Sequence, residues 1–335
     1  MTQTKATTRP RASTKTSTRP ARSLTGLMGE PASQLRLLLS ATRRMHEQLD
    51  RPKGPEHTLA GRIVANLFFE DSTRTRTSFS VAAKRLGAEA VDLMGFASSV
   101  NKGETLVDTA LNVEAMGVDV LVMRAKQSGA AELVRRAVRC PVVNAGDGRH
   151  EHPTQGLLDT YTLAEAHGRL DDFDLRGLTV LIVGDVASSR VARSAIACMG
   201  TLGAKVVCIG PPGLAPAALA HLGCKVSHDL DSNLAAAHAV MMLRMQFERH
   251  EGSGGDAEAK KSSVIASVRE YREGFALTAI RAQSLRPGCI VIHPGPMNRG
   301  LEIDGSVADG PQSVVLRQVA RGVAVRMAVL DWCVN

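Results

Sequence analysis

The chain has 335 residues, of which 44% are hydrophobic and 22% charged, as in ordinary globular proteins. Its length predicts two domains. An excess of 41 Lys and Arg over 33 Asp and Glu gives a net charge of +8, which raises the question of an anionic partner. The longest apolar runs fall short of the ~18 residues of a membrane helix, and 3% aromatic residues argue against stacking on nucleic-acid bases. The six scattered cysteines form no C-x-x-C pair, which argues against a zinc knuckle and fits a reducing cytoplasm.

Residues 1–23 are predicted to be a disordered basic tail. Six basic residues and no acidic residue lie within the first 29 positions, which leaves 35 basic and 33 acidic residues for the remainder. The tail is rich in Ser, Thr and Pro, and it cannot bury enough apolar surface to offset the entropy of ordering it. An organelle transit peptide has a similar composition. A solvated tail on a cytoplasmic protein is the favoured interpretation.

Short apolar runs alternate with segments of helical period along the rest of the chain. In the first half, strands are predicted at 62–69, 90–94, 118–124 and 142–145, and helices at 75–87, 104–116, 129–139 and 153–167. In the second half, strands are predicted at 179–183, 205–209, 225–227, 239–243 and 289–292, and helices at 188–202, 215–222, 231–238 and 314–329. This alternation indicates an α/β fold with two doubly wound parallel-sheet domains.

The two sets of strands predict a first domain at 24–153 and a second at 154–307. The last helix is predicted to return to the first domain, so that residues 308–335 belong to it. The Gly-, Ser- and charge-rich segment 249–263 is predicted to be a mobile loop. Functional residues in open parallel sheets lie at the carboxyl ends of strands, so the active site is expected in a cleft between the domains.

The first strand is followed by hydroxyl and guanidinium side chains at the start of a helix. The residues are Ser72, Thr73, Arg74 and Thr75. Free N–H groups at a helix N-terminus, together with hydroxyl donors and an arginine, suit a phosphate group. A simple Ser/Thr-capped helix with solvated arginines remains open at this point.

Later strand ends carry further arginines and a histidine. Arg124, Arg190 and Arg244 join Arg74 in these regions, which suggests a positive cleft for a small polyanion. Pro153 fits the first turn of a helix, so His152 is expected at its N-terminus as a neutral imidazole that donates to a carbonyl oxygen. A metal site at His150 and His152 is disfavoured because no further ligand completes it. Binding of a nicotinamide cofactor is disfavoured, since the G-x-G-x-x-G pattern of nicotinamide-binding proteins is missing after Gly184.

Taken together, these motifs resemble the aspartate/ornithine carbamoyltransferase family over about residues 24–333. The match rests on FEDSTRTR (69–76), SSVNKGET (98–105), HPTQ (152–155) and HPGPMNRG (293–300). The resemblance implies that the first motif binds the phosphate of carbamoyl phosphate. It further implies that the second motif is contributed by a neighbouring subunit, in a homotrimer with shared active sites.

The family resemblance also implies individual roles. The phosphate would be held by Ser72, Thr73, Arg74 and Thr75, with Ser98 and Lys102 of the neighbouring subunit. The carbamoyl carbonyl would be polarised by Thr75, Arg124 and His152. Gln155 and the backbone at Gly295 and Pro296 would hold the carbamoyl amide. The carboxylates of aspartate would be bound by Arg190, Arg244 and Gln246, with Lys102.

The implied reaction transfers the carbamoyl group of carbamoyl phosphate to the α-amine of L-aspartate, an early step of de novo pyrimidine (UMP) synthesis. The resemblance also implies that this reaction needs no metal and no organic cofactor. Ornithine carbamoyltransferase is the nearest alternative, but that branch typically has a His-Cys-Leu-Pro turn, and Arg244 favours a dicarboxylate. The 293–300 motif resembles a bacterial subgroup that associates with dihydroorotase or a dihydroorotase-like chain. From a different class, a non-catalytic anion- or nucleic-acid-binding protein is the remaining alternative, and neither a nucleic-acid nor a membrane partner is expected.

Overall fold

The computed structural model describes residues 22–51, 54–93, 104–245 and 267–335, and the chain forms two parallel sheets. The first sheet has the strand order β2-β1-β3-β4, and the second has the order β7-β6-β5-β8-β9. The strands of the first sheet are β1 (Ile63–Phe68), β2 (Glu89–Leu93), β3 (Val120–Ala125) and β4 (Val142–Asp147). The strands of the second are β5 (Thr179–Val183), β6 (Lys205–Ile209), β7 (Lys225–Ser227), β8 (Ala239–Met242) and β9 (Ile290–Ile292). Every predicted strand is confirmed, with ends within about two residues of those expected.

Helices connect the strands and cover the sheets. The longer ones are α1 (Ala32–Leu49), α2 (Thr73–Arg85), α3 (Leu106–Ala115), α4 (Ala130–Ala137), α5 (Pro153–Ala166) and α6 (Arg190–Thr201). The shorter ones are α7 (Asp231–Leu234), α8 (Val268–Phe275), α9 (Ala279–Ala282) and α10 (Gly305–Ala308), and the last helix is α11 (Val315–Val334). A 3₁₀-helix occupies Ala217–Leu222 where an ordinary helix was expected, and α7 ends four residues before its predicted end.

Four helices of the described segments were not predicted, and α1 is the largest of them. Leu35, Leu38, Leu39, Thr42 and Met45 are buried on one face of this helix, at the 3–4-residue spacing of an amphipathic helix. The signal was therefore present in the sequence. The other three, α8 to α10, are short and carry too few turns for a periodic pattern to be evident.

The C-terminal helix α11 returns to the first domain, as expected. It packs against α1, α2 and α5, and it is buried on all sides from Ala324 to Leu330. Helix α5 is buried along nearly its whole length and joins the two sheets, so the apolar core is continuous between the domains. The exact domain boundaries stay a prediction.

The described chain includes Arg22 and Ser23, which the prediction assigned to the tail. The N–H of Val142 donates to Ser23 Oγ at 2.9 Å, and the Arg22 guanidinium lies 5.8 Å from the ring centre of Trp332. Residues 1–21 and the predicted loop at 249–263 lie outside the described residues. Among the described helices, none combines the length and the apolarity needed to cross a membrane.

Candidate active site

A cavity of about 450 Å³ lies between the two domains, at the carboxyl ends of β1, β3, β4, β5, β8 and β9. Every predicted site residue in the described part of the chain lines this cavity: Ser72, Thr73, Arg74, Thr75, Arg124, His152, Gln155, Arg190, Arg244, Gly295 and Pro296. The predicted site residues Ser98, Lys102 and Gln246 lie outside the described residues. The strand-end rule therefore located the cavity correctly.

The segment after β1 presents a helix N-terminus to the cavity. Ser72 occupies the N-cap position of α2, but its side chain makes no capping hydrogen bond. The first N–H groups of α2 thus keep the partial positive charge that attracts anions, and no carboxylate lies in the first turn to offset it. This favours an anion site over the simple capped helix that the sequence left open.

Glu70 is a cavity residue that the sequence analysis missed. Its Oε1 accepts hydrogen bonds from Arg124 Nη2 at 2.8 Å and Arg190 Nη2 at 2.6 Å, and its Oε2 accepts from Arg190 Nη1 at 3.0 Å. Burial acts to raise the pKa of Glu70, but the two arginines outweigh it and hold the pKa below its ordinary value. Two of the four expected arginines are therefore partnered by a protein carboxylate, because buried guanidinium groups require a counter-charge.

Arg124 and Arg190 reach Glu70 from different domains. Arg124 is at the end of β3, directly opposite Phe68 of β1, and its Nη1 donates to the Ala145 carbonyl at 3.0 Å. Arg190 opens α6, where Ser189 Oγ caps the helix by accepting from the Ala192 N–H at 3.1 Å. The cap fixes the first turn of α6 and thereby directs Arg190, which is only 6% exposed, at the cavity.

Arg244 follows β8, as expected, and lines the same cavity. Its Nε is buried and finds no hydrogen-bond partner among the described residues. A buried guanidinium nitrogen without an acceptor is costly in a folded protein. This side chain is therefore suited to bind an anionic group that enters the cavity.

His152 occupies the N-cap position of α5 with Pro153 as the first helical residue, as expected. Burial, together with the positive charges of Arg124, Arg190 and Arg326, lowers the pKa of His152 well below its ordinary value of 6.5. Its imidazole is therefore neutral at physiological pH, with one N–H available as a donor. No group of three His, Cys, Asp or Glu side chains within the described segments could hold a metal ion.

The backbone at His152 is held by a buried network. Its N–H donates to Ser194 Oγ at 2.9 Å, and the Ser194 hydroxyl donates to Glu151 Oε2 at 2.8 Å. The same carboxylate accepts the backbone N–H groups of Leu27 at 2.8 Å and Met28 at 3.0 Å. The network joins the N-terminal segment, the strand end before α5 and helix α6, so it ties the histidine to both domains.

The turn after β9 is shaped by His293 and Gly295. Gly295 has a φ of +68°, a conformation that favours glycine, and its peptide bond to Pro296 is cis. The Gly295 N–H donates to His293 Nδ1 at 2.8 Å, so the other ring nitrogen carries the proton and donates to Glu302 at 3.3 Å. A Cβ at position 295 would lie 3.5 Å from the Arg74 guanidinium, an ordinary van der Waals distance, so the turn lies close to Arg74 and glycine is favoured here by its φ rather than by lack of space.

Comparisons with known proteins agree with this arrangement. Residues 22–165 match the carbamoyl-phosphate-binding domain, and residues 176–333 the aspartate/ornithine-binding domain, of aspartate/ornithine carbamoyltransferases. The chain belongs to this carbamoyltransferase family.

Two curated members of the family are about half identical to the chain. The aspartate carbamoyltransferase catalytic subunit of Myxococcus xanthus is 50% identical over 314 residues, which cover 93% of this chain and 99% of that protein. The corresponding subunit of Gluconacetobacter diazotrophicus is 50% identical over 311 residues, covering 93% and 92%. A crystal structure of Trypanosoma cruzi aspartate transcarbamoylase in complex with carbamoyl phosphate and aspartate has a TM-score of 0.80 and 30% identity, covering 93% and 96%.

Proposed function

We propose that the chain is an aspartate carbamoyltransferase, which converts carbamoyl phosphate and L-aspartate into N-carbamoyl-L-aspartate and phosphate. One observation carries the proposal: arginines from both domains converge on the cavity that the phosphate-binding motif also lines. Such a cavity fits one substrate with a phosphate and a second with two carboxylates. Membership of the family and the relatives named aspartate carbamoyltransferase catalytic subunit support the same activity. The reaction would supply an early intermediate of pyrimidine synthesis.

The phosphate-binding role is assigned to the N-terminus of α2. Ser72, Thr73, Arg74 and Thr75 would hold the phosphate through backbone N–H groups, hydroxyls and one guanidinium. The uncapped helix end supports this assignment. Ser98 and Lys102 of a neighbouring subunit would complete the site in a homotrimer.

The carbamoyl carbonyl is assigned to Thr75, Arg124 and His152. The aspartate amine would attack the carbamoyl carbon, forming a C–N bond and a tetrahedral oxyanion that these three donors stabilise. Collapse of the intermediate breaks the C–O bond to phosphate. The neutral imidazole suits donation of a hydrogen bond, and the departing phosphate would take the proton that the amine loses.

The aspartate carboxylates are assigned to Arg190, Arg244 and Gln246, with Lys102 of the neighbouring subunit. The Nε of Arg244, which has no hydrogen-bond partner in the part of the chain that the structure describes, supports an anionic ligand beside this side chain. Ornithine carries an ammonium where aspartate carries its side-chain carboxylate, so a second carboxylate-binding arginine would repel it. This chemistry favours aspartate over ornithine.

The assignment is tested by comparing turnover of carbamoyl phosphate with L-aspartate and with L-ornithine. Aspartate is the expected substrate, and a preference for ornithine would contradict the substrate assignment. Deletion of residues 1–23 separates the enzyme from a binding protein that uses its basic tail. The truncated enzyme should keep its turnover, whereas salt-sensitive DNA binding through the tail without transferase activity would exclude our proposal.

We also propose a cytoplasmic location and an assembly that includes dihydroorotase or a dihydroorotase-like chain. The assembly is supported by the 293–300 motif, whose HPGPMNRG form resembles that bacterial subgroup. The cytoplasmic location is supported by the six scattered cysteines, which form no C-x-x-C pair. Co-purification of the full chain with dihydroorotase from the source cells, followed by sizing of the complex, tests this assembly. A trimer that elutes unchanged with added dihydroorotase would exclude it.

A further inference from the structure

A buried chain of hydrogen bonds links α11 to α5 beside the cavity. Gln318 Nε2 donates to Asp159 Oδ1 at 2.6 Å, and Gln155 Nε2 donates to the same oxygen at 2.8 Å. At the other end, the backbone N–H of His293 donates to Gln318 Oε1 at 3.1 Å. Asp159 is fully buried, whereas Gln155 also lines the cavity.

The backbone N–H of His293 determines the donor and the acceptor in each of these three hydrogen bonds. A backbone N–H can only donate, so the Gln318 amide must face His293 with its oxygen and Asp159 with its NH₂ group. Asp159 Oδ1 is therefore an acceptor, and Gln155 must face it with its own NH₂ group. The Oε1 atom of Gln155 remains for the cavity.

This polarity does not depend on the charge of Asp159. Burial raises the pKa of Asp159 to about 7, although the hydrogen bonds from Gln155 and Gln318 and the charge of Arg326 act in the opposite direction. Its Oδ2 is buried and has no hydrogen-bond partner among the described residues. A proton would therefore reside on Oδ2, because Oδ1 already accepts two N–H groups, and Oδ1 stays an acceptor in both states.

We propose that Asp159 is a positioning residue that sets the orientation of the Gln155 amide, so that the cavity recognises the NH₂ group of its carbamoyl substrate. The inference rests on the proposed function, in which Gln155 holds the carbamoyl nitrogen. With Oε1 toward the cavity, Gln155 accepts an N–H of the carbamoyl group. A rotated amide would place two donors against each other, and the site would no longer distinguish carbamoyl from an acyl group of the same shape.

The test compares three ligands: carbamoyl phosphate, acetyl phosphate, which has a methyl group in place of NH₂, and inorganic phosphate. Dissociation constants are measured by calorimetry, together with kcat/KM for carbamoyl phosphate. Asp159→Ala is expected to weaken carbamoyl phosphate binding and kcat/KM about tenfold, the size of one lost hydrogen bond. The affinities for acetyl phosphate and inorganic phosphate should change less than about twofold, since neither ligand contacts Gln155 through an N–H.

Three further variants separate positioning from a general structural loss. In Asp159→Asn the amide oxygen can still accept from both glutamines, so this variant should restore the preference for carbamoyl phosphate that Asp159→Ala loses. Gln155→Ala combined with Asp159→Ala should lose no more than Gln155→Ala alone, because Asp159 acts through Gln155. Thr162→Val is the matched control: Thr162 is buried on the same helix and donates to the Leu158 carbonyl, but it does not line the cavity.

Equal weakening of all three ligands in Asp159→Ala, or additive losses in the double variant, would overturn the inference. If Asp159→Ala does not fold, Asp159→Leu fills the space, removes the acceptor and is read in the same way. A wild-type chain that transfers no carbamoyl group to aspartate overturns the proposed function itself. A wild type that does transfer it, with ligand preference unchanged in Asp159→Ala and Asp159→Leu, overturns only the role of Asp159.

Discussion

Arg190 binds Glu70 through two hydrogen bonds, Nη2 to Oε1 at 2.6 Å and Nη1 to Oε2 at 3.0 Å, and so joins the two domains across the cavity. Arg124 adds a third bond to the same carboxylate. The proposed function assigns both arginines to the substrates. Glu70 and the substrate oxygens would therefore interact with the same two guanidinium groups, those of Arg124 and Arg190.

Replacing Glu70 by Gln is expected to lower the free energy of unfolding by about 1–3 kcal/mol, because two largely buried guanidinium groups lose their counter-charge. An anionic ligand supplies the missing negative charge, so inorganic phosphate should raise the Tm of Glu70→Gln more than that of the wild type. Thermal denaturation with and without phosphate measures both effects.

The matched control for this prediction is Glu132→Gln. Glu132 also pairs with two arginines, Arg135 and Arg136, but on the exposed surface of α4. Surface pairs contribute at most about 1 kcal/mol, so this variant should show the phosphate-induced shift of the wild type. A shift that is equal in all three proteins would contradict the role given to Glu70.

Arg74 and Arg244 line the same cavity but are assigned to different substrates, so their removal should have different effects. Arg244→Ala is expected to raise KM for aspartate at least tenfold, the usual order of a lost charged hydrogen bond, with a smaller change for carbamoyl phosphate. Arg74→Ala should instead impair carbamoyl phosphate use or kcat. Steady-state kinetics with each substrate varied in turn separates the two, and Arg269→Ala on the exposed face of α8 serves as the control. Small and equal effects of Arg74→Ala and Arg244→Ala would contradict the arrangement.

The depressed pKa of His152 has a consequence for stability at acidic pH. Below about 6.5 the unfolded chain binds a proton at His152 that the folded chain does not, so folding weakens as the pH falls, down to the folded pKa. Above pH 6.5 the imidazole is neutral in both the folded and the unfolded chain, so His152 causes no loss of stability there. Urea unfolding of wild type and His152→Gln from pH 5 to 8 should show that the variant loses less stability on the acidic side, by up to about 1.4 kcal/mol per pH unit.

His221→Gln, at an exposed position, is the control for the general acid sensitivity of the chain. It should follow the wild-type curve over the same pH range. Parallel curves for wild type and His152→Gln would contradict the prediction, because they would mean that the His152 imidazole binds its proton equally well in the folded and unfolded states.

Shared active sites are tested by mixing two inactive variants. Lys102→Ala lacks the residue that a neighbour would lend, and His152→Ala lacks a residue of the home cavity. In mixed trimers some sites receive both intact residues, so partial activity should return after subunit exchange. Activity that stays absent, although labelled subunits have exchanged, would indicate that each site is built from one chain.

The sequence predicted the strands and the cavity well, because buried parallel strands are continuous apolar runs whose carboxyl ends converge. It predicted Arg190 and Arg244 at the cavity, but not that Glu70 would hold Arg190, since that pairing depends on how the two sheets are placed relative to each other. Gln318 and Arg326 were missed for a related reason. The apolar pattern of α11 predicts a helix, yet it does not fix which polar side chains its rotation turns toward the cavity. Helix α1 carried a readable pattern and was overlooked.

The return of α11 to the first domain also determines when the cavity is completed during protein synthesis. This helix supplies Gln318 and Arg326 to the cavity, and it covers faces of α1, α2 and α5 that would otherwise meet water. It leaves the ribosome after the strands of both sheets. The nascent chain can therefore form both sheets and still lack a finished cavity, so a product that ends before Val315 would expose apolar surface and bind substrate poorly.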